Sequence, residues 1–191
     1  MHFRWMMATA LPLLLLLQAC VPVAVGGATA GAAAAYDRRT LGAMIDDENI
    51  ELKAVAIIGQ DANLKKLVHV NVTSMNGIVL LTGEAATTEA RDQILAHVRA
   101  VNGVRRITNE LRITEPSPFG DRSKDSLITS AVKSRFLVSQ NLDSTRIKVV
   151  TEASVVYLLG LVTHAEGDLA ADRAATIEGV ERIVKVFEYI D

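Results

Sequence analysis

Residues 68–85 read VHVNVTSMNGIVLLTGEA, and this stretch decides the fold. Val68, Val70 and Val72 alternate with other residues, the period of a half-buried strand. Asn76-Gly77 is the strongest short hairpin signal, because both residue types accept the positive φ that a two-residue turn needs. The alternation resumes after the turn with Val79 and Leu81, and Gly83 closes the second strand. The stretch is strand, turn, strand.

Upstream lies Asp47-x-x-Ile50-x₃-Ala54-x₃-Ile58. An acidic residue opens a helix there, with apolar residues at i, i+4 and i+8 on one face. Downstream, residues 86–101 (ATTEARDQILAHVRAV) read as a second helix, stopped by Gly103-Val104. Val104-x-x-Ile107 opens a last strand. The unit is α-β-β-α-β.

The order then recurs, and such internal repetition is informative. Asp125-x-x-Ile128-x₃-Val132-x₃-Phe136 repeats the first helix, and residues 146–162 (RIKVVTEASVVYLLGLV) repeat the strand pair. Residues 163–178 repeat the second helix, followed by Gly179-Val180 and Val180-x-x-Ile183. Gly160 stands where Gly83 does. Ala153-Ser154 replaces Asn76-Gly77, and the missing glycine predicts a looser or longer second turn. Pro116 and Pro118 separate the copies.

The predicted domains are 46–114 and 125–191, joined by a 115–124 linker. Units of this size bury little core, so the two are expected to pack on each other as well as to fold separately. The fold class is α+β: two tandem α-β-β-α-β domains, each a three-stranded mixed sheet covered by two helices.

The N-terminus carries a different signal. His2 and Arg4 precede a mostly apolar stretch, Met6–Leu17, interrupted by Pro12. A spanning helix needs ~20 apolar residues, so this one is short for a span and suits a signal-peptide core. Leu17-Gln18-Ala19-Cys20 resembles a bacterial lipobox. That resemblance implies cleavage after residue 19 and lipid attachment to Cys20. Val21 follows; an Asp there would resemble the inner-membrane retention signal, so the outer membrane, seen from the periplasm, is the expected address. Cys20 is the single cysteine, so no internal disulfide competes for it. Residues 20–45 read as a flexible Gly/Ala-rich linker, with a reach of roughly 25–30 Å.

Without Arg4, 19 of the 20 basic side chains remain against 22 acidic ones, a net charge of −3. No nucleic-acid partner fits that balance. Trp5, the one tryptophan, leaves with the leader.

The repeated pattern, carried in the first copy by Val70, Val72, Gly77, Val79, Leu81, Gly83, Gly103, Val104 and Ile107, resembles a BON domain, here twice. Behind a lipobox it resembles the DolP (YraP) family of outer-membrane lipoproteins. The resemblance implies an envelope-integrity protein whose second BON domain binds anionic phospholipid, with no catalysis. It also implies the division site as a location.

The residues point to one surface. On a helical wheel Ile128, Val132 and Phe136 face the core, while Leu127, Ala131, Ser134 and Val138 form an opposite stripe with Leu137 beside it. Lys124 and Arg135 flank one edge and Lys133 lies further round on the other. The matching positions of the first copy, Asn49, Lys53, Ala56 and Gln60, read as a solvated face. An apolar stripe with basic flanks suits an anionic bilayer surface. The attraction must be local, since residues 121–191 carry 9 basic and 11 acidic side chains.

Two alternatives stand beside it. The stripe packs on the first copy or on the 115–124 linker, or the chain is a lipid-anchored adaptor for an envelope protein such as the outer-membrane assembly machinery. No cofactor or metal is expected. His69 and His97 are far apart in sequence, and of His164, Glu166 and Asp168 helical spacing puts only the first and last on one face.

Overall fold

A computed structural model describes residues 37–116 and 122–191 of the protein. The leader, the Leu17–Cys20 lipobox and the linker as far as Tyr36 lie outside the described residues.

The first domain runs α1 (Leu41–Gln60), a single turn α2 (Leu64–Leu67), β1 (Val68–Met75), β2 (Ile78–Ala85), α3 (Thr88–Arg99) and β3 (Arg106–Ile113). The second runs α4 (Arg122–Leu137), a 3₁₀ turn (Ser144–Arg146), β4 (Ile147–Glu152), β5 (Val155–Val162), α5 (His164–Ala175) and β6 (Arg182–Tyr189). Each sheet has its second strand at the centre, antiparallel to the first and parallel to the third. The expected α+β class and repeat order are both present.

Two boundaries shift. Helix α1 begins at Leu41, ahead of the expected boundary at 46, because Thr40 caps it: its Oγ1 accepts from the Ala43 N–H at 3.1 Å. Helix α4 begins at Arg122, inside the expected linker.

The central strands show how the layers stack. In β2, Val79 and Leu81 join the core under α1 and α3, whereas Ile78 and Leu80 point the other way. In β5, Val156 and Leu158 face α4 and α5, while Tyr157 and Leu159 face away from them. The outward sets meet: Met75, Ile78, Leu80, Tyr157, Leu159 and Val186 form one buried cluster. The two sheets therefore lie back to back, with helices outside, in four layers.

Polar contacts across this seam repeat in pairs. Arg106 and Arg182 open β3 and β6 at matching positions. The first donates to the Phe187 carbonyl at 3.4 Å, the second to Glu110 at 3.2 Å. Asn71 and Lys148, matched in β1 and β4, donate to Glu152 at 2.8 Å and to the Ser74 carbonyl at 3.4 Å. The copies thus face each other about an approximate two-fold axis, as in an isologous dimer made within one chain.

Each hairpin turn is held by an acid near the start of the preceding helix, Asp47 in the second turn of α1 and Asp125 in the first turn of α4. The Asp47 carboxylate accepts from the Asn76 N–H at 2.7 Å, the Gly77 N–H at 2.9 Å and the Ser74 hydroxyl at 2.7 Å. Asp125 accepts from the Ala153 and Ser154 N–H groups at 2.8 and 2.9 Å. The expectation of a looser second turn is corrected here. Ala153 (φ 49°) and Ser154 (φ 62°) form the same two-residue turn as Asn76 (φ 51°) and Gly77 (φ 72°). Asp125 holds two non-glycine residues in a left-handed conformation that costs roughly 1–2 kcal/mol per residue. Ala153→Gly should relieve about 1 kcal/mol of that and raise Tm by about 2–4 °C in a thermal melt. An unchanged or lower Tm would contradict the strain.

The segment entering α1 is clasped by both domains. Arg39 donates to Asp37 and Asp47, each at 2.8 Å. Arg38 donates to both Glu166 oxygens at 2.6 and 2.9 Å and to the Leu161 carbonyl at 3.1 Å. The Arg38 hydrogen bonds, helped by the Thr163 N–H and opposed by burial, hold the Glu166 carboxyl down to about 2. With a depressed folded value, the clasp contributes fully above the ordinary Glu value of about 4.3 and is lost as pH falls toward 2.

Candidate functional site

Helix α4 is amphipathic by residue placement. Ile128, Val132 and Phe136 are buried among Ile147, Val149, Val156 and Leu158. That interdigitation fixes the helix's rotation and sends the other positions outward. Leu127 is 72 % exposed, Leu137 73 % and Val138 74 %. Ala131, Ser134, Lys124, Lys133 and Arg135 are exposed as well. The stripe read from the sequence is therefore brought together on one open surface, and no described residue of the first domain or of the linker covers it.

Among the described residues the stripe is not unique. Helix α1 exposes Leu41 (62 %), Ile45 (62 %), Leu52 (68 %) and Val55 (53 %). On a wheel these share one face, directly opposite Ile50 and Ala54. The expected solvated face of the first copy holds at Asn49, Lys53, Ala56 and Gln60, yet an apolar row runs beside it. Comparing only matching wheel angles hid it, and starting the helix at 46 left Leu41 and Ile45 in the linker. The i, i+4, i+11, i+14 spacing was the available signal. Its charges differ from those of α4: Glu48 lies within the row, while Lys53 and Asp46 stand further round the helix.

Between the two helices lies a cleft of about 530 Å³. Met44 and Glu48 of α1 line it, with Met75, Lys133, Phe136 and Ile147. Sequence reasoning missed it, since its walls come from both domains.

Of the residues weighed for catalysis or metal binding, His164, Asp168 and Glu166 are each held in other contacts, and His69 Nε2 is buried with no hydrogen-bond partner among the described residues. His164 Nδ1 meets Asp191 at 2.7 Å and its ring stacks on Tyr189 at 3.8 Å between centroids. Asp168 accepts from Lys185 at 2.6 Å, and Glu166 completes the α5 capping box with Thr163. Among the described residues no group of three or more His, Cys, Asp or Glu side chains is placed to hold a metal ion. No described helix is long and apolar enough to cross a membrane.

The family profile of the BON domain matches residues 46–115 and again 124–191. The chain belongs to the BON-domain family. Its two BON copies are the two halves of the four-layer body. The chain is 40 % identical to the outer membrane lipoprotein DolP of Haemophilus influenzae, over 92 % of this chain and 91 % of that one. It is 37 % identical to a 21 kDa hemolysin of Actinobacillus pleuropneumoniae, over 81 % and 79 % of the two chains. Against the osmotically-inducible protein Y of Escherichia coli it is 25 % identical, over 75 % and 72 %. The likeness to DolP spans both BON domains and places the chain in that dual-BON family.

Proposed function

We propose that this protein is an outer-membrane lipoprotein, lipidated at Cys20, that binds anionic phospholipid through the outer face of α4 and supports envelope integrity. The reading assigns it no catalysis. It would gather where lipid composition is distinctive, such as the division site. Location is supported by the lipobox and by the relative named as an outer membrane lipoprotein.

One observation carries the lipid part: Leu127, Leu137 and Val138 are left exposed beside Lys124, Lys133 and Arg135. A fully buried Leu or Val side chain contributes ~1.5–3 kcal/mol, and partial insertion a fraction of that. Each Lys or Arg near an anionic surface adds ~1 kcal/mol. Three shallow apolar groups and three cations suffice for reversible binding, with the acyl anchor supplying permanence.

The test is vesicle co-sedimentation of the chain from Val21 onward, which contains the whole described body. Binding is expected to phosphatidylglycerol vesicles and not to neutral ones, and to weaken at high salt. Leu127→Glu should abolish it without lowering Tm, because the side chain is mostly exposed. Salt-independent binding to both vesicle types, or an unaffected Leu127→Glu, would overturn the assignment.

The α1 row favours a second reading for the first domain. The Glu48 carboxylate within this row disfavours an anionic bilayer and suits a basic protein partner, which is the adaptor function. Ile45→Lys with Leu52→Lys should leave vesicle binding intact and remove capture of that partner, the outer-membrane assembly machinery being the one to assay.

A further inference from the structure

The cleft between α1 and α4 has features that neither a flat membrane contact nor a packing defect explains. Its volume, about 530 Å³, falls in the range of small-molecule sites. Its apolar lining is Met44, Met75, Phe136, Leu137 and Ile147, and polar and charged side chains make up the rest. Two methionines among five apolar groups give a pliable lining of the kind that adapts to flexible chains.

Most of the charges at the cleft are spoken for. Arg39 is paired with Asp37 and Asp47. Lys148 is paired with Glu51 at 2.7 Å. Two remain: among the described residues none pairs with the Lys133 ammonium, and none with the Glu48 carboxylate. They come from opposite walls, one from each domain. The Ser144 hydroxyl, likewise without a described partner, lines the same cleft.

We propose that the interdomain cleft binds a single acyl chain bearing a zwitterionic phosphoethanolamine-type head. The chain lies along Met44, Met75, Phe136 and Leu137. Lys133, with Ser144, receives the phosphate, and Glu48 receives the ammonium. Charge complementarity selects this occupant. A phosphoglycerol head satisfies Lys133 but leaves Glu48 facing another negative charge, and a fatty acid leaves Glu48 unanswered. The site is distinct from the outer stripe of α4 and does not rest on membrane contact there, although Lys133 and Leu137 border both.

The chain offers its own probe. After residue 20 only Met44 and Met75 remain of the five methionines, and both line the cleft. The experiment labels their methyl groups with ¹³C in the chain from Val21 and titrates monomeric lysophospholipids below micelle formation. With lysophosphatidylethanolamine both signals should shift in a saturable manner. Lysophosphatidylglycerol of the same chain should bind about tenfold more weakly, the cost of one mismatched charged contact. Glu48→Gln should erase that preference, and Lys133→Gln should weaken both ligands. Both positions are exposed, so the fold should survive either change. Signals unmoved by every lysophospholipid overturn the site. Equal or tighter binding of the phosphoglycerol head overturns the zwitterion assignment, as does a preference that survives Glu48→Gln. Vesicle co-sedimentation reads the α4 face separately, so the two assignments can fail independently.

Discussion

Replacing Gly83 with alanine is expected to unfold the first domain. Gly83 pairs with Val70 across the hairpin, at φ +112°, where L side chains are strained. An added Cβ would stand 2.1 Å from the His69 carbonyl oxygen and 3.0 Å from its carbon. Both atoms are backbone, so no side chain can swing aside. Relief requires β1 to move off β2, and β1 carries Val70 and Val72 into the core. Strained backbone and overpacking together should cost about 2–6 kcal/mol, most of what a small domain has. Urea denaturation reads this as a large fall in midpoint. Gly160→Ala meets the Arg146 carbonyl at 2.5 Å without a positive φ, and its loss should be smaller. A Gly83→Ala protein that denatures with its parent would refute the geometry.

Asp47→Ala should be nearly as damaging. It removes the acceptor of two turn amides, one hydroxyl and the Arg39 guanidinium from a nearly water-free position. Leaving such groups unpaired costs about 3–5 kcal/mol. Asp125→Ala, with two amides at stake, should cost about 1–3 kcal/mol.

The effect carries a pH signature. Burial pushes the Asp47 carboxyl up, but the hydrogen bonds from Gly77, Ser74, Asn76 and Arg39 outweigh it and hold the group below the usual range. A depressed folded value means the stabilisation is complete above the ordinary Asp value of about 3.9 and is lost as pH falls through the depressed one. Thermal melts of parent and Asp47→Ala should therefore differ most near neutrality and converge in acid. A gap that is as wide in acid as at neutral pH would show that the carboxylate charge is not what matters.

These acids also mark the limit of what the sequence could reveal. Local pattern placed Asp47 and Asp125 at helix starts, and it placed the hairpins by alternation and turn residues. That each acid holds a turn some thirty residues away is a tertiary fact with no local period. It also explains the misjudged second turn: Ala153-Ser154 has poor turn chemistry in isolation and is rescued from a distance. The continuous apolar run Ile78–Leu81 did carry news of the seam, because a strand buried on both faces loses its alternation. The α4 stripe was legible since one helix supplies all of it. The cleft was not, since Glu48 and Lys133 belong to different copies and meet only through the two-fold packing of the sheets.

The clasp at Arg38 and Arg39 bears on how force reaches this body. In a lipid-anchored chain, a tug on the anchor arrives through residue 37. Arg39 passes the load to the first domain through Asp47, and Arg38 passes it to the second through both oxygens of Glu166. The pull is shared at the suspension point instead of peeling α1 from its sheet. Cut at Arg38, the protein would hang from one domain alone, and mechanical unfolding from the N-terminus should then start at lower force.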